Sequence, residues 1–469
     1  MFLECSDAFK QNRTMLRAKD LAVGLINCLG RRTVSGLLTS CGKIFEDWSA
    51  EYRLFYEQRM ELSKIFDVVR KKVLDYQPNS GNSPIYAHMD DTLLKKTGKK
   101  VAGTSWKRDP LGPPFHTNFI WAQRFIQISL SLPEGPMPCA NRSIPVDFFH
   151  SPTVQKPKKK DADSAWKEYK EKQKIAKLSV QGSKRIALLR ENLDREGAQD
   201  RPLIMSVDGS YSNETVLKGL PERTTLIGRI RKDAKLNKLP ESNKGIGRNR
   251  VYGQKLPTPE EIRQSKEYPW QEVRAFATGK IHCFNVKVVK DIRWRKSSTK
   301  NLQLVVIRPL GYRLTKNSKM LYRQPAYLIC TDPFLDIGEL LQAYLWRWGI
   351  EVNFREEKTL LGCGQAQVRN TTAVEKVPAF VTAVYSMIQL ADYQTSKAME
   401  KLSLPRAKWY PLKTKTKKTT GDIINNFRSQ MWAKSAEINF SDFVNLHLNM
   451  QSRKIRPNPA QCALMYGRK

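Results

Sequence analysis

The sequence predicts an α/β protein with helical regions at both ends and a β-rich segment inserted in its core. Three observations favour this class. Apolar residues recur at helical spacing before residue 75, and two short apolar runs each lead into aspartate. Residues 224 to 330 alternate β-branched and polar residues between Gly, Pro and Asn turns. Because 469 residues exceed one ordinary core, we expect several domains.

The charge of the chain indicates an acidic partner. There are 81 Lys and Arg against 45 Asp and Glu, a formal charge of +36, and 40% hydrophobic residues are enough to build real cores. Nucleic acid is the expected partner, because each neutralised phosphate releases counterions. No apolar run approaches the length of a membrane span, and the first residues lack the order of a signal peptide. We therefore predict a cytoplasmic protein with no membrane partner.

The cysteines and histidines exclude several kinds of site. The eight cysteines include no CxxC pair, and the five histidines are isolated from one another. Neither a disulfide framework nor a zinc site is indicated. A metal would have to be a hard cation bound by oxygen, which directs attention to the carboxylates.

Two strands are predicted to end in aspartate. The strand Ile85 to Met89 precedes Asp90 and Asp91, and the apolar run PLIMSV precedes Asp208. Carboxyl ends of strands are where α/β folds place their chemistry. Between these strands we predict a longer buried strand, or a pair of strands, from Phe119 to Leu132 and a long basic helix through Trp166 and Leu189.

The boundaries follow from these elements. The predicted parts are a helical DNA-binding domain (1–80), a first part of the α/β core (81–235), a β-rich insertion (236–330), a second part of the core (331–390) and a basic helical C-terminal region (391–469).

The second part of the core carries the stretch YLWRWGIEVNFREEK, in a helix whose start is predicted at Asp332-Pro333. On a helix advancing about 100° per residue, Tyr344, Arg347, Glu351 and Lys358 share an arc of about 60°. A carboxylate flanked by cations suits a metal ligand among groups that hold phosphates. The alternative is a solvated face with internal salt bridges.

Asp91, Asp208 and Glu351 are therefore the candidate ligands of a Mg²⁺ site directed at phosphodiesters. Two ions about 3.5–4 Å apart would activate a hydroxyl and stabilise the leaving oxygen. For any single Asp, a turn or cap is the alternative role.

The spacing Tyr344-x2-Arg347-x3-Glu351-x6-Lys358 resembles the Y-(2)-R-(3)-E-(6)-K signature of bacterial insertion-sequence transposases of the DDE class. Asp91 before Thr92 resembles their first catalytic aspartate, and Asp208 resembles the second. The long interval to Glu351 also fits, because these transposases carry a β-rich insertion there. The resemblance covers about residues 85 to 370.

The resemblance implies an RNase H-like core, a mixed sheet flanked by helices, in which Asp91, Asp208 and Glu351 hold two Mg²⁺ ions, with Mn²⁺ as a substitute. Tyr344, Arg347 and Lys358 would contact phosphates. The reaction would be cleavage at the transposon end, releasing a 3′-hydroxyl, followed by strand transfer into target DNA, with a hairpin intermediate in some relatives. The partners would be transposon-end DNA, target DNA and a second copy in a synaptic homodimer, close to the bacterial nucleoid.

Several alternatives stay open. Asp90 competes with Asp91 as the ligand, although Asp91 directly precedes Thr92. Arg355 points to the same helix face as Glu351. Relatives that form hairpins stack a flipped base on an aromatic residue, for which Trp270 and Trp294 are candidates, with a surface position on a β edge as the alternative for Trp294. The competing functions are an RNase H-like nuclease that does not join strands and a domesticated DNA-binding protein that has lost catalysis.

Overall fold

Apolar runs bounded by turn residues form a large mixed sheet. The computed structural model describes residues 1–77, 81–113, 115–241, 250–297, 299–315, 317–398 and 418–435. Eleven strands make the sheet, and β11 and β12 form a separate pair. The strands are β1 (Ile85–Lys95), β2 (Ser105–Arg108), β3 (Phe119–Pro133), β4 (Asn141–His150), β5 (Leu203–Val207), β6 (Thr224–Arg229), β7 (Leu236–Lys238), β8 (Gln271–Ala277), β9 (Lys280–Trp294), β10 (Leu302–Ile307), β11 (Gly311–Tyr312), β12 (Leu321–Tyr322) and β13 (Ala326–Cys330).

The strand order of the sheet is β2-β3-β1-β5-β6-β13-β10-β9-β7, with β4 on β3 and β8 on β9. Strands β1, β5 and β6 are parallel, whereas β13, β10 and β9 join as antiparallel neighbours. The strands predicted between 224 and 330 therefore extend the same sheet as β1 and β5. Strand pairing decides this arrangement, and a local sequence pattern does not reveal which strands pair.

The helices are α1 (Asn12–Asn27), α2 (Val34–Ser40), α3 (Ser49–Tyr56), α4 (Leu62–Tyr76), α5 (Asp163–Ile175), α6 (Leu178–Arg195), α7 (Glu214–Lys218), α8 (Pro259–Gln264), α9 (Ile337–Trp346), α10 (Trp348–Thr359), α11 (Ala373–Ala398) and α12 (Thr420–Ser435). In the described part of the chain, no helix combines the length and the apolar character needed to cross a bilayer.

Contacts within the chain separate two units. The helical unit comprises Met1–Lys72, Leu94–Ala122 and Asn353–Lys469, and the sheet unit comprises Val73–Leu93 and Gln123–Val352. In the helical unit, α1 packs against α2, α3, α11 and α12. The buried Arg428 supports this bundle, because its guanidinium donates to the carbonyl of Ile26 near the end of α1, at 2.6 Å. The domain boundaries predicted above remain predictions.

In the sheet unit, α9 packs its apolar side against β5, β6 and β8. Leu340 and Trp346 of α9 are buried in one core with Ile204 of β5 and Ile227 of β6. Each buried apolar side chain contributes about 1.5–3 kcal/mol. This packing holds α9 against the parallel strands β5 and β6, and so positions the residues that follow α9.

Four predicted boundaries are wrong in detail. Strand β1 continues to Lys95, so both aspartates lie inside it. The predicted long basic helix is two helices, α5 and α6. Helix α9 begins after Asp336, whose side chain accepts a hydrogen bond from the Glu339 backbone N–H, and not at Asp332. The helix predicted to contain Tyr344 to Lys358 is divided at Arg347.

The α/β class with helical ends is confirmed: the molecule has a large mixed sheet flanked by helices, as in RNase H-like folds. At the C-terminal end, α11 and α12 are the described elements. The remainder of the predicted basic region, residues 399–417 and 436–469, lies outside the described residues.

Candidate active site

The register of β1 and β5 brings two aspartates to neighbouring positions. These parallel strands pair from Ile85 with Leu203 to Met89 with Val207. The residues that follow these pairs are Asp90, which is still inside β1, and Asp208, which comes directly after β5. Because side chains alternate along a strand, Asp90 and Asp91 point to opposite faces of the sheet.

The Asp90 face is the side covered by α9. Ser206, two residues before Asp208 and so on the same face, donates through its hydroxyl to the α9 carbonyl of Ala343 at 3.1 Å. Asp90 accepts a hydrogen bond from Arg347 at 3.0 Å. The pKa of Asp90 is raised to about 7, chiefly by burial; the charges of Asp91 and Asp208 add to the rise, and Arg347 opposes it.

Arg347 connects the two halves of the candidate site. One guanidinium nitrogen lies 3.0 Å from Asp90, and another lies 2.9 Å from Glu351. The guanidinium carbon is 5.7 Å from the centre of the Tyr344 ring. Burial raises the pKa of Tyr344, and the Asp208 charge acts in the same direction. The structure therefore brings Tyr344, Arg347 and Glu351 together around Asp90, with Asp208 close enough to act on the same groups.

The Asp91 face has different partners. The Tyr211 hydroxyl donates to one Asp91 oxygen at 3.2 Å, and Arg124 lies 3.3 Å from the other. Tyr211 is fully buried, and its ring occupies the space beside Gly182 of α6, where a Cβ would meet the ring at 2.7 Å. Burial raises the pKa of Tyr211 well above its usual value, so it stays a hydrogen-bond donor.

Arg124 and Tyr211 are residues that the sequence analysis did not identify. Tyr211 follows Asp208 by three residues, which is a local signal that could have drawn attention to it. Arg124 has no such signal, because its approach to Asp91 depends on the pairing of distant strands.

The other two cations of the predicted site, Lys358 and Arg355, lie in the helical unit, whose last segment starts at Asn353. There the Lys358 ammonium lies 5.9 Å from the centre of the Phe354 ring, and burial lowers its pKa. Arg355 is exposed, with 68% of its side chain accessible. The role of Lys358 and Arg355 at Glu351 stays a prediction.

The acidic groups fit a hard cation in their chemistry, since all are carboxylates. Within the described part of the chain, no side chain donates a hydrogen bond to the Asp208 carboxylate, whereas Arg347 occupies oxygens of both Asp90 and Glu351. Across the same residues, no three Asp, Glu, His or Cys side chains form a ready-made group for a metal ion. The cluster is thus an ion-paired arrangement of potential ligands.

A basic cavity of about 1030 Å³ opens beside Asp208. Its lining includes Gly209 and Ser212 from the chain directly after Asp208, together with seven cations and two acids. Arg263 pairs with Glu260, and Arg231 with Asp233. The other five cations have no acidic partner among the described residues: Arg229, Lys232, Lys235, Arg295 and Lys296.

The two candidate aromatic residues differ in their surroundings. Trp294 lines this cavity and is 7% exposed, so the alternative of a surface position is wrong. It is buried because β7 pairs with its strand, Leu236 opposite Trp294. Trp270 is half-buried, with Lys287 at 4.6 Å and Arg308 at 5.9 Å from its ring centre.

A comparison with protein families identifies the family of this chain. A family model described as DDE superfamily endonuclease matches residues 2–301, which include Asp90, Asp91 and Asp208 but not α9 and α10. The comparison with curated proteins gives no match. Enzymes of this superfamily act on DNA and generally use divalent metals. The chain therefore belongs to the DDE superfamily endonuclease family.

Proposed function

We propose that this protein is the transposase of an insertion sequence, which cleaves DNA at the ends of its element and joins them to target DNA. The observation that carries the proposal is that Asp90, inside β1, and Asp208, directly after β5, both follow the last residue pair of these parallel strands, with Arg347 linking Asp90 to Glu351. Family membership supports nuclease or transposase chemistry. The Tyr-Arg-Glu-Lys spacing on α9 and α10 supports the transposase among these.

In this proposal Asp208, Glu351 and one aspartate of β1 would hold two Mg²⁺ ions, which Mn²⁺ can replace. Bound there, the metal would activate a water or 3′-hydroxyl and stabilise the leaving oxygen. Arg347 already bridges two of the carboxylates, so an incoming phosphate would compete with them for its guanidinium. Tyr344, Lys358 and Arg355 would hold neighbouring phosphates.

The aspartate of β1 has two candidates. The position before Thr92 favours Asp91, as in the resemblance above. The register with Asp208 and the ion pair to Arg347 favour Asp90. Asp91 is held by Tyr211 and Arg124 on the other face. We therefore assign the ligand role to Asp90 as the hypothesis to test first against Asp91.

Trp294 is the better candidate for stacking an extruded base, because it lines the cavity beside Asp208, where five cations have no acidic partner among the described residues. A base would stack on the Trp294 ring, and a phosphate would bind the cations of that cavity. Two cations lie over the Trp270 ring, Lys287 and Arg308, whereas one, Lys296, lies over the Trp294 ring at 5.6 Å from its centre. A hairpin step would follow if the 3′-hydroxyl attacks the opposite strand while this base is held away from the duplex.

The test is cleavage of a labelled duplex copied from the DNA that flanks the gene, with Mg²⁺ and with EDTA. Glu351→Gln should keep DNA binding and abolish cleavage, because an amide is a poor metal ligand. Glu168→Gln is the matched control, since Glu168 is exposed and pairs with Lys172 on the surface of α5. An active Glu351→Gln protein would refute the site.

The products separate the competing functions. Cleaved ends joined to a second duplex support a transposase, whose synaptic complex should contain two protein chains. Cleavage without joined products supports the nuclease. Retardation of the DNA without cleavage, in the presence of Mg²⁺ or Mn²⁺, supports a DNA-binding protein that has lost catalysis.

A further inference from the structure

A short ribbon projects from the main sheet between β10 and β13. Among the strands that the structure describes, β11 and β12 pair only with each other, Gly311 with Tyr322 and Tyr312 with Leu321. At the tip, Ser318 accepts a hydrogen bond from the Thr315 backbone N–H at 3.0 Å. We call residues 311–323 the basic ribbon; residue 316 lies outside the part that the structure describes.

The charged residues of this segment are all positive. The basic ribbon contains four cations and no acid, and the chain has no Asp or Glu from residue 292 to residue 331. Arg313, Lys319 and Arg323 are exposed. Arg323 lies 5.4 Å from the centre of the Tyr312 ring, which holds this cation at the base of the ribbon. Such a segment has no acidic neighbours in sequence to neutralise it.

Apolar side chains are exposed among these cations. Leu314 at the tip is 74% exposed, and Tyr322 is 70% exposed. Tyr312, Met320 and Leu321 are also exposed. Large apolar groups clustered on one small element indicate a binding surface, because isolated exposed residues would be scattered over the protein.

We propose that the basic ribbon binds duplex DNA, with its cations on the phosphates and its apolar tip in a groove. A two-stranded ribbon has the width that the major groove admits, and phosphates carry the charge opposite to that of its cations. Apolar tips also serve as wedges against base pairs. This surface rests on the proposed function for its DNA substrate and lies outside the carboxylate cluster, so it would anchor DNA without taking part in cleavage.

The test is the salt dependence of binding to a labelled duplex of unrelated sequence. For the double variant Arg313→Gln with Lys319→Gln, we expect the slope of log K against log[salt] to fall by about 1.8, since each phosphate contact contributes about 0.9. We expect affinity to fall about tenfold or more. Lys170→Gln with Lys174→Gln on α5 removes the same charge from another exposed surface and should keep the wild-type slope.

A second measurement uses the unaltered protein. Acetylation of Lys319 should slow at least several-fold when duplex is bound, whereas acetylation of Lys170 should not. Equal losses for both double variants, or no protection of Lys319, would overturn the proposal. So would a ribbon variant that loses binding to phosphatidylserine vesicles but keeps DNA binding. Stronger protection by a single strand than by a duplex would overturn the choice of duplex.

Failure of the ribbon and failure of the proposed function give different results. If the ribbon proposal alone is wrong, the double variant binds DNA normally and the wild-type protein still cleaves. If the proposed function alone is wrong, the ribbon still binds DNA, but no cleavage appears with any metal. If both hold, the ribbon variant still cleaves at saturating DNA concentration.

Discussion

The two faces of β1 differ sharply although their key residues are adjacent. On one face Asp90 is paired with Arg347, which also holds Glu351. On the other face Asp91 accepts a hydrogen bond from the buried Tyr211 and lies beside Arg124. Identical side chains one position apart therefore have different neighbours, because alternation along a strand sends them to opposite layers.

Under the proposed function, this difference separates the contacts of a reaction site from those of a supporting layer. The Asp90 face combines carboxylates, a guanidinium and a phenol at the end of a parallel pair, where α/β folds bind ligands. The Asp91 face contains a packed tyrosine with no space left beside Gly182. A packed environment restrains a carboxylate in one position. A carboxylate in an ion pair can exchange its partner.

The largest effect should separate the two aspartates directly. We expect Asp90→Asn to reduce Mg²⁺-dependent cleavage by about three orders of magnitude, because it removes a charged ligand beside Asp208. Asp91→Asn should reduce it much less. Cleavage of the flanking duplex at saturating DNA measures both. The reverse ranking would assign the ligand to Asp91, as the sequence motif predicts.

A smaller effect concerns pH. The pKa of Asp90 is raised to about 7, chiefly by burial, and the charge of Arg347 opposes this rise. Arg347→Gln should therefore raise that pKa further, so the rising limb of the cleavage profile moves to higher pH. We expect the rate at neutral pH to fall about 10- to 100-fold. Arg124→Gln is the matched control on the other face and should leave the limb in place, which a pH series at fixed Mg²⁺ checks.

The smallest effect should come from Tyr211. Tyr211→Phe removes the hydrogen bond to Asp91 while keeping the buried ring, so we expect a loss of about 1 kcal/mol in the free energy of unfolding. Cleavage should change less than about threefold. Urea denaturation, together with the cleavage assay, measures both quantities. A large loss of cleavage without a loss of stability would move Asp91 and Tyr211 into the reaction site.

Much of the fold could be predicted from local patterns. The apolar run before Asp208 is a strand, and the helical spacing around Tyr344 and Glu351 is helical in the structure. These patterns are local because burial of one face imposes a period of two or about 3.6 residues. The positions of Tyr344, Arg347 and Glu351 relative to one another follow from that spacing, with Arg347 at the junction of two helices instead of inside one.

The sequence by itself determined the α/β class, where most strands and helical segments lie, the excess of positive charge and the residue types of the candidate site. The tertiary structure decided that Asp90 and Asp208 directly follow the paired residues of β1 and β5, that Arg124 reaches Asp91, and that Trp294 is buried beside a cavity. It also joined the strands after residue 224 to the central sheet. The physical reason is that strand register and packing depend on residues far apart in the chain, whereas periodicity reports only which side of an element is buried.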